Sequence, residues 1–225
     1  MSYARTLARV ETYFDQTATQ TWERLTSDAP VSRIRATVRA GRAQMRDLLL
    51  SRLPPDLSGQ RILDAGCGAG QMTAELAARG ADVVAVDISP SLVEIAKDRL
   101  ASNLRGRVEF VAGDMLNPTL GSFDHCIAMD SLIYYSADDI AAALSDLSHR
   151  VASQTLFTVA PKTPALMAMW YAGKFFPRSD RSPVMVPHVA SGLSKAAQAS
   201  GLTGIARLGR VASGFYISDA MEVRR

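Results

Sequence analysis

From Arg61 onward, short apolar runs alternate with amphipathic stretches, and several of the runs end at a small or acidic residue. The run Arg61-Ile62-Leu63-Asp64-Ala65 predicts a buried strand, as do Asp82 to Val86, Val108 to Val111, Asp124 to Met129 and Thr155 to Val159. Helical spacing lies between them. One helix is predicted from about Gly70 to Arg79, closed by Gly80 as a C-cap residue. A second follows Ser89-Pro90, an N-cap with a first-turn proline, and runs through Leu100. A third starts at Ser136 with Asp139 and runs to about Val151. The tail predicts a closing antiparallel hairpin from Ile205 to Val211, Gly214 to Ser218 and Met221 to Val223. Strand–helix units at this spacing imply an α/β fold with a parallel sheet and ligands at the carboxyl ends of the strands.

Two segments break the alternation. Residues 1–57 form an N-terminal helical cap or arm, whose basic residues are all arginine: Arg5, Arg9, Arg24, Arg33, Arg35, Arg39, Arg42, Arg46 and Arg52. Its apolar residues recur at helical spacing (Val10, Tyr13, Phe14, then Ile34, Val38, Met45, Leu48, Leu49), predicting two or three helices broken at Asp28-Ala29-Pro30. Residues 58–225 form the main domain, with an insertion at about 161–190. There the apolar segment Pro164 to Phe176 runs into a basic, proline-punctuated stretch, Pro177 to Pro183. That combination reads either as a buried helix followed by a solvated loop or, the favoured reading, as a lid or wall over a large flat apolar ligand bearing acidic groups.

Composition narrows the class. A chain of 225 residues, 48% hydrophobic, fills one sizeable core, and a net charge of +3 is too small for a nucleic-acid footprint. No run of 18 apolar residues spans a membrane, and Met1 to Arg5 lacks the apolar core of a signal peptide. Cys67 and Cys126 do not make a disulfide framework, so a reduced, cytoplasmic protein is expected. His125, His149 and His188 are far apart in sequence and read as satisfied structural histidines rather than metal ligands.

The chemistry sits after the first strand, in Leu63-Asp64-Ala65-Gly66-Cys67-Gly68-Ala69-Gly70. Glycines at 66, 68 and 70 permit φ values closed to other residues and let a ligand approach the backbone. Asp87, about 20 positions on, stands where a doubly wound sheet grips the two hydroxyls of a ribose. Position 71 is Gln, so the dinucleotide pattern GxGxxG fails, and no Gly-Lys-Ser/Thr follows for a phosphate loop.

With Asp87, this turn resembles that of the class I S-adenosylmethionine-dependent methyltransferases. The resemblance implies a Rossmann-like, mostly parallel seven-stranded sheet with an antiparallel C-terminal hairpin. It implies S-adenosylmethionine as cofactor, held by Asp64, Gly66, Gly68, Gly70, Asp87, Ile88, Asp114, Met115 and Met129. Asp64 would meet the ammonium of the methionine part, and Asp114 would either bond the adenine amine or serve only as a turn residue. Asp130 and Ser131 would lie next to the transferred methyl.

The outer sequence is more specific. The strings Ala128 to Tyr135, Phe157 to Leu166 and Phe176 to Arg181, with Tyr13-Phe14, Trp22-Glu23-Arg24 and Ser213-Gly214-Phe215-Tyr216, resemble the magnesium protoporphyrin IX O-methyltransferases of (bacterio)chlorophyll synthesis. That likeness implies methyl transfer to one propionate of magnesium protoporphyrin, with magnesium arriving only in the substrate. It implies a reacting carboxylate steered by Tyr134 or Tyr135 near Asp130. The macrocycle would lie against Trp170, Tyr171 or Phe175, its second propionate clamped by Arg178 or Arg181, with Tyr13 and Arg24 near the site. Tyr134 stands where members often show His, and Thr26 where they often show Tyr. The family further implies the large porphyrin-binding subunit of magnesium chelatase as a partner and peripheral attachment to the photosynthetic membrane. Two other functions share parts of the pattern: methylation of another small acid, phenol or quinone precursor, and a non-catalytic porphyrin carrier.

Overall fold

The computed structural model describes residues 3–15, 33–104, 106–164, 166–167 and 185–224. The break at Asp28-Ala29-Pro30, and Trp22, Arg24, Thr26, Trp170, Tyr171, Phe175, Arg178 and Arg181, lie outside the described residues.

Seven strands form one sheet: β1 (Arg61–Ala65), β2 (Asp82–Asp87), β3 (Val108–Ala112), β4 (Phe123–Ala128), β5 (Val151–Val159), β6 (Ile205–Ser213) and β7 (Tyr216–Arg224). Their order is β3-β2-β1-β4-β5-β7-β6. The first five pair in parallel, and β7 slots antiparallel between β5 and β6. Strands β1, β2 and β4 are buried on both faces, which is why their sequences read as unbroken apolar runs. The chain leaves β1 toward β2 and β3, then crosses back to β4 on the other side. That reversal opens a crevice at the carboxyl ends of β1 and β4.

Helices α1 (Tyr3–Tyr13), α2 (Arg33–Leu50), α3 (Gln71–Ala78), α4 (Pro90–Arg99), α5 (Ala137–Ser148) and α6 (Ala190–Ala199) cover the sheet. Ile140, Leu144 and Leu147 of α5 and Leu193 and Ala197 of α6 fill one face with Leu63, Val84 and Phe157. Met45 and Leu49 of α2 join Met72 and Leu76 of α3 on the other, against Ile62, Val83 and Leu156. Helix α2 therefore shares the core of the sheet. Ile34, part of its apolar repeat, stays 53% exposed. No helix among the described residues is long and apolar enough to cross a membrane.

The predicted caps recur as bonds: Ser89 Oγ accepts from Leu92 N, and Ser136 Oγ from Asp139 N. Helix α5 stops at Ser148, short of the Val151 expected. The carbonyl of Arg150 already accepts from Phe123 N at 2.8 Å, so Val151 is in the sheet and β5 starts four residues before Thr155. The second arm of the hairpin is one continuous strand. Helix α6 had no counterpart among the expected elements, because Leu193 and Ala197 are its buried residues and the rest is small or polar.

Candidate active site

The turn after β1 is built on three left-handed glycines, with φ of 83° at Gly66, 54° at Gly68 and 80° at Gly70. A Cβ on Gly66 would stand 2.4 Å from Ser131 Cβ, so the turn is pressed against the end of β4. Gly70 has a different task. Its Cβ would meet that of Ala96 in α4 at 3.0 Å, and it does not line the cavity, so helix packing rather than ligand approach requires glycine there.

Above the turn lies a cavity of about 950 Å³, its mouth included. Of the residues singled out in the sequence, Asp64, Gly66, Gly68, Asp87, Ile88, Met115, Met129, Asp130, Tyr134 and Tyr135 line it. Asp64 is buried, and its Oδ2 accepts from Thr73 Oγ1 at 2.6 Å. Burial pushes its carboxyl up to about 7, with Asp87 adding to the shift and the Thr73 bonds opposing it. Asp87 is fixed by Gly68 N on one oxygen (2.8 Å) and Ser89 N on the other (2.9 Å). Burial raises its pKa too. Asp114 does not line the cavity. Its Oδ1 accepts from Leu116 N and from Tyr3 Oη at 2.9 and 2.8 Å, a turn role that also anchors α1.

Asp130 is tied on every side. Its backbone is left-handed (φ 59°), and its N–H donates to Thr158 Oγ1 at 2.8 Å. Oδ1 accepts from Thr158 and Tyr216 hydroxyls at 3.1 and 3.0 Å, and Oδ2 pairs with Arg42 at 2.5 Å. Gly41 permits this: a Cβ there would lie 2.6 Å from the Tyr216 ring, so α2 rests directly on that ring. Both carboxylate oxygens of Asp130 are thereby engaged.

The N-terminal helix roofs the cavity with Tyr3, Leu7, Val10 and Phe14. Tyr3 stacks on Tyr135 at 4.9 Å, and Phe14 meets Tyr134 edge-on at 6.0 Å. Tyr13 packs against Phe14 and does not line the cavity. Burial raises the hydroxyl pKa of both Tyr134 and Tyr135, which keeps them neutral donors. Burial likewise raises the Cys67 thiol, so it is a filler of the cavity wall. His188 Nε2 meets Tyr135 O at 3.1 Å, a satisfied histidine, and His149 caps α5. His125 departs from expectation: its Nδ1 is buried with no hydrogen-bond partner.

A second cavity of about 650 Å³, its mouth included, adjoins the first and shares Arg42, Asp130 and Tyr134 with it. The rest of its wall is chiefly apolar, including Val38, Ile133, Leu166, Met185 and Phe215. Among the described residues that line it, Arg42 is the one cation. Sequence reasoning gave no site role to Tyr3, Arg42, Arg46, Thr73 or Tyr216. The available signal was the i, i+4 spacing of Arg42 and Arg46, which puts both on one helix face.

A cofactor cavity joined to an apolar slot is the layout of a group-transfer enzyme, and known proteins match it along the whole chain. The chain is 58% identical to the magnesium-protoporphyrin O-methyltransferase of Rhodobacter capsulatus, over 99% of its own length and 98% of that protein's. The chain belongs to the magnesium-protoporphyrin O-methyltransferase family. Residues 128–225 match the family description "Magnesium-protoporphyrin IX methyltransferase C-terminus", and residues 62–154 match "Methyltransferase domain". The Synechocystis magnesium-protoporphyrin O-methyltransferase is 30% identical over 96% of this chain and 95% of that protein. The crystal structure of the magnesium protoporphyrin IX methyltransferase from Synechocystis PCC 6803, with bound S-adenosylhomocysteine, superposes with a TM-score of 0.83 at 29% identity. That match covers 97% of this chain and 99% of the other. The seven-stranded class I methyltransferase fold is common to both.

Proposed function

We propose that the chain transfers the methyl group of S-adenosylmethionine to a propionate carboxylate of magnesium protoporphyrin IX, giving the monomethyl ester and S-adenosylhomocysteine. The observation that carries this reading is the common wall of Arg42, Asp130 and Tyr134 between the glycine-turn cavity and the apolar one.

The residues present fit the cofactor. Asp64 suits an α-ammonium, and Arg46, whose Nε is buried with no hydrogen-bond partner, suits an α-carboxylate. Asp87, oriented by two backbone N–H groups, suits a ribose diol, while Ile88, Leu92 and Met115 offer apolar walls for a base. Ser131 Oγ, also buried and unpartnered, gives the cradle one more donor. Bound there, S-adenosylmethionine supplies a methyl group made electrophilic by its sulfonium.

The chain's own residues then position and desolvate. A propionate with a pKa of about 4.3 is ionised at neutral pH, so no base need be supplied. Consistent with that, both Asp130 oxygens are engaged and the tyrosines stay protonated. The nucleophile is weak mainly because water solvates it, and the apolar slot removes that water. Alignment of this kind contributes on the order of 7–11 kcal/mol. Trp170, Tyr171, Phe175, Arg178, Arg181, Arg24 and Tyr13 remain the proposed contacts for the macrocycle and its second propionate.

The supply of a magnesium porphyrin requires a magnesium-inserting enzyme, and the large porphyrin-binding subunit of magnesium chelatase is the proposed donor. Peripheral attachment to the photosynthetic membrane fits the same reading: Phe215, on the wall of the apolar slot, is 53% exposed.

The test is a methyl-transfer assay on purified protein with S-adenosylmethionine, offering magnesium protoporphyrin and metal-free protoporphyrin in parallel. A monomethyl ester formed mainly from the magnesium porphyrin is the expected product. Cofactor binding without any porphyrin ester would redirect the assignment to another small acid, phenol or quinone precursor, or to a carrier.

A further inference from the structure

We propose that Arg42 receives the acceptor's reacting carboxylate at the junction of the two cavities, and that Asp130 holds Arg42 in readiness there. This rests on the methyl-transfer reading above.

Three observations carry it. The first is charge: the acceptor slot is mostly apolar, and Arg42 is the one cation among the described residues that line it. A carboxylate brought to the junction end of such a slot meets that cation or finds only neutral donors such as the Tyr134 hydroxyl, and a buried charge without a counter-charge is costly. The second is placement. Arg42 is also on the wall of the glycine-turn cavity, so a carboxylate at its guanidinium stands at the boundary where the methyl must cross.

The third is the effort spent on holding the pair. Asp130 keeps a left-handed backbone that a non-glycine residue adopts only when its surroundings over-determine it. Thr158 fixes it through both backbone and side chain, Tyr216 adds a second hydroxyl, and Gly41 removes the side chain that would lift α2 away. All of these contacts converge on the position of one guanidinium.

Charge then sorts substrate from product. The acid competes with Asp130 for Arg42, whereas the ester is neutral and cannot. When the ester forms, the carboxylate oxygen gains the methyl carbon, the S–CH3 bond breaks, and the sulfonium becomes a thioether. No proton is needed. The Arg42–Asp130 pair re-forms and the product loses its anchor. Sharing also protects reactivity, because an arginine given wholly to the acceptor would tie up the lone pairs that must attack.

The experiment compares binding of magnesium protoporphyrin and of its dimethyl ester, by porphyrin fluorescence in the presence of S-adenosylhomocysteine, for wild type, Arg42→Met, Arg42→Lys and Asp130→Asn. Wild type is expected to prefer the diacid, and Arg42→Met to lower that preference about tenfold or more. Arg42→Lys should restore part of it. Asp130→Asn, which suits the left-handed backbone, should keep the preference, lower KM for the diacid and lower kcat. A preference unchanged in Arg42→Met, or a loss equal for both forms, overturns the role and leaves Arg42 structural. Should Arg42→Met fail to fold, as judged by the thermal shift with cofactor, Asp130→Asn decides: a lost diacid preference there overturns it. A wild type that binds neither porphyrin overturns the porphyrin reading itself, whereas normal wild-type turnover with an unaltered Arg42→Met preference sinks only this proposal.

Discussion

Thr73 Oγ1 lies 2.6 Å from Asp64 Oδ2, and both side chains are shut away from solvent. The bond favours the ionised carboxylate, yet burial outweighs it and brings Asp64 to about 7. A neutral acid cannot hold an ammonium. Cofactor affinity is therefore expected to rise with pH between 6 and 7.5, by up to about tenfold per unit on the acid side. Calorimetric titration with S-adenosylhomocysteine across that range measures it, and Thr73→Val should move the rise to higher pH.

The same carboxylate has the opposite effect on stability. Its folded pKa lies above the ordinary value of 3.8, so the contribution is present at low pH and lost as pH climbs through about 7. Asp64→Asn should accordingly stabilise the cofactor-free protein at pH 8, by roughly 1–3 kcal/mol, while cofactor binding weakens. An Asn variant that melts lower than wild type without cofactor at pH 8 would contradict this.

Two glycines of the turn should separate binding from packing. Gly66→Ala drives a Cβ into Ser131 beside the cavity, and cofactor affinity should fall at least about tenfold along with stability. Gly70→Ala strains the contact with Ala96 in α4, so about 1–3 kcal/mol of stability should go with a far smaller change in affinity. Melting curves and cofactor titrations on the same two proteins decide the matter.

Legibility of the sequence followed how local each determinant is. The capped helices, the glycine turn, Asp64 and Asp87 are specified by residues within a few positions of one another, and they stand where the pattern put them. Arg42 was one of nine arginines before Arg61, and its i, i+4 spacing with Arg46 does not single it out, because Arg35 and Arg39 share that spacing. Its role depends on Tyr216 and Asp130, which lie 174 and 88 positions away. Gly41 was equally silent, since a mid-helix glycine reads as a defect until the ring beneath it is seen. The start of β5 was misread because Val151 joins the sheet through pairing with β4, a long-range bond that no window of local periodicity contains.

Gly41→Ala offers a direct measure of that long-range contact. The added Cβ would overlap the Tyr216 ring, costing roughly 1–3 kcal/mol. If α2 lifts to relieve it, Arg42 withdraws from Asp130, and kcat/KM should fall together with Tm. A Tm loss with unchanged kcat/KM would mean that the ring moves instead of the helix.

Acid should loosen the site through His188. Burial lowers its pKa, so the folded state keeps it neutral while the unfolded chain takes up a proton below about 6.5. Stability contributed here is present above 6.5 and declines as pH falls. Urea unfolding at pH 7.5 and 5.5 should show a smaller acid loss in His188→Gln than in wild type.

Helix α2 presents Arg42 and Arg46 to the cavities from the same 18 residues that set Met45 and Leu49 into the core. Acceptor choice in this architecture cannot be exchanged like a cassette. A graft that swaps the helix for a new specificity also removes one layer of the hydrophobic interior, because Met45 and Leu49 stand three positions from Arg42 and Arg46 on the same side, so diversification must proceed by single substitutions at the arginine positions with those neighbours held constant.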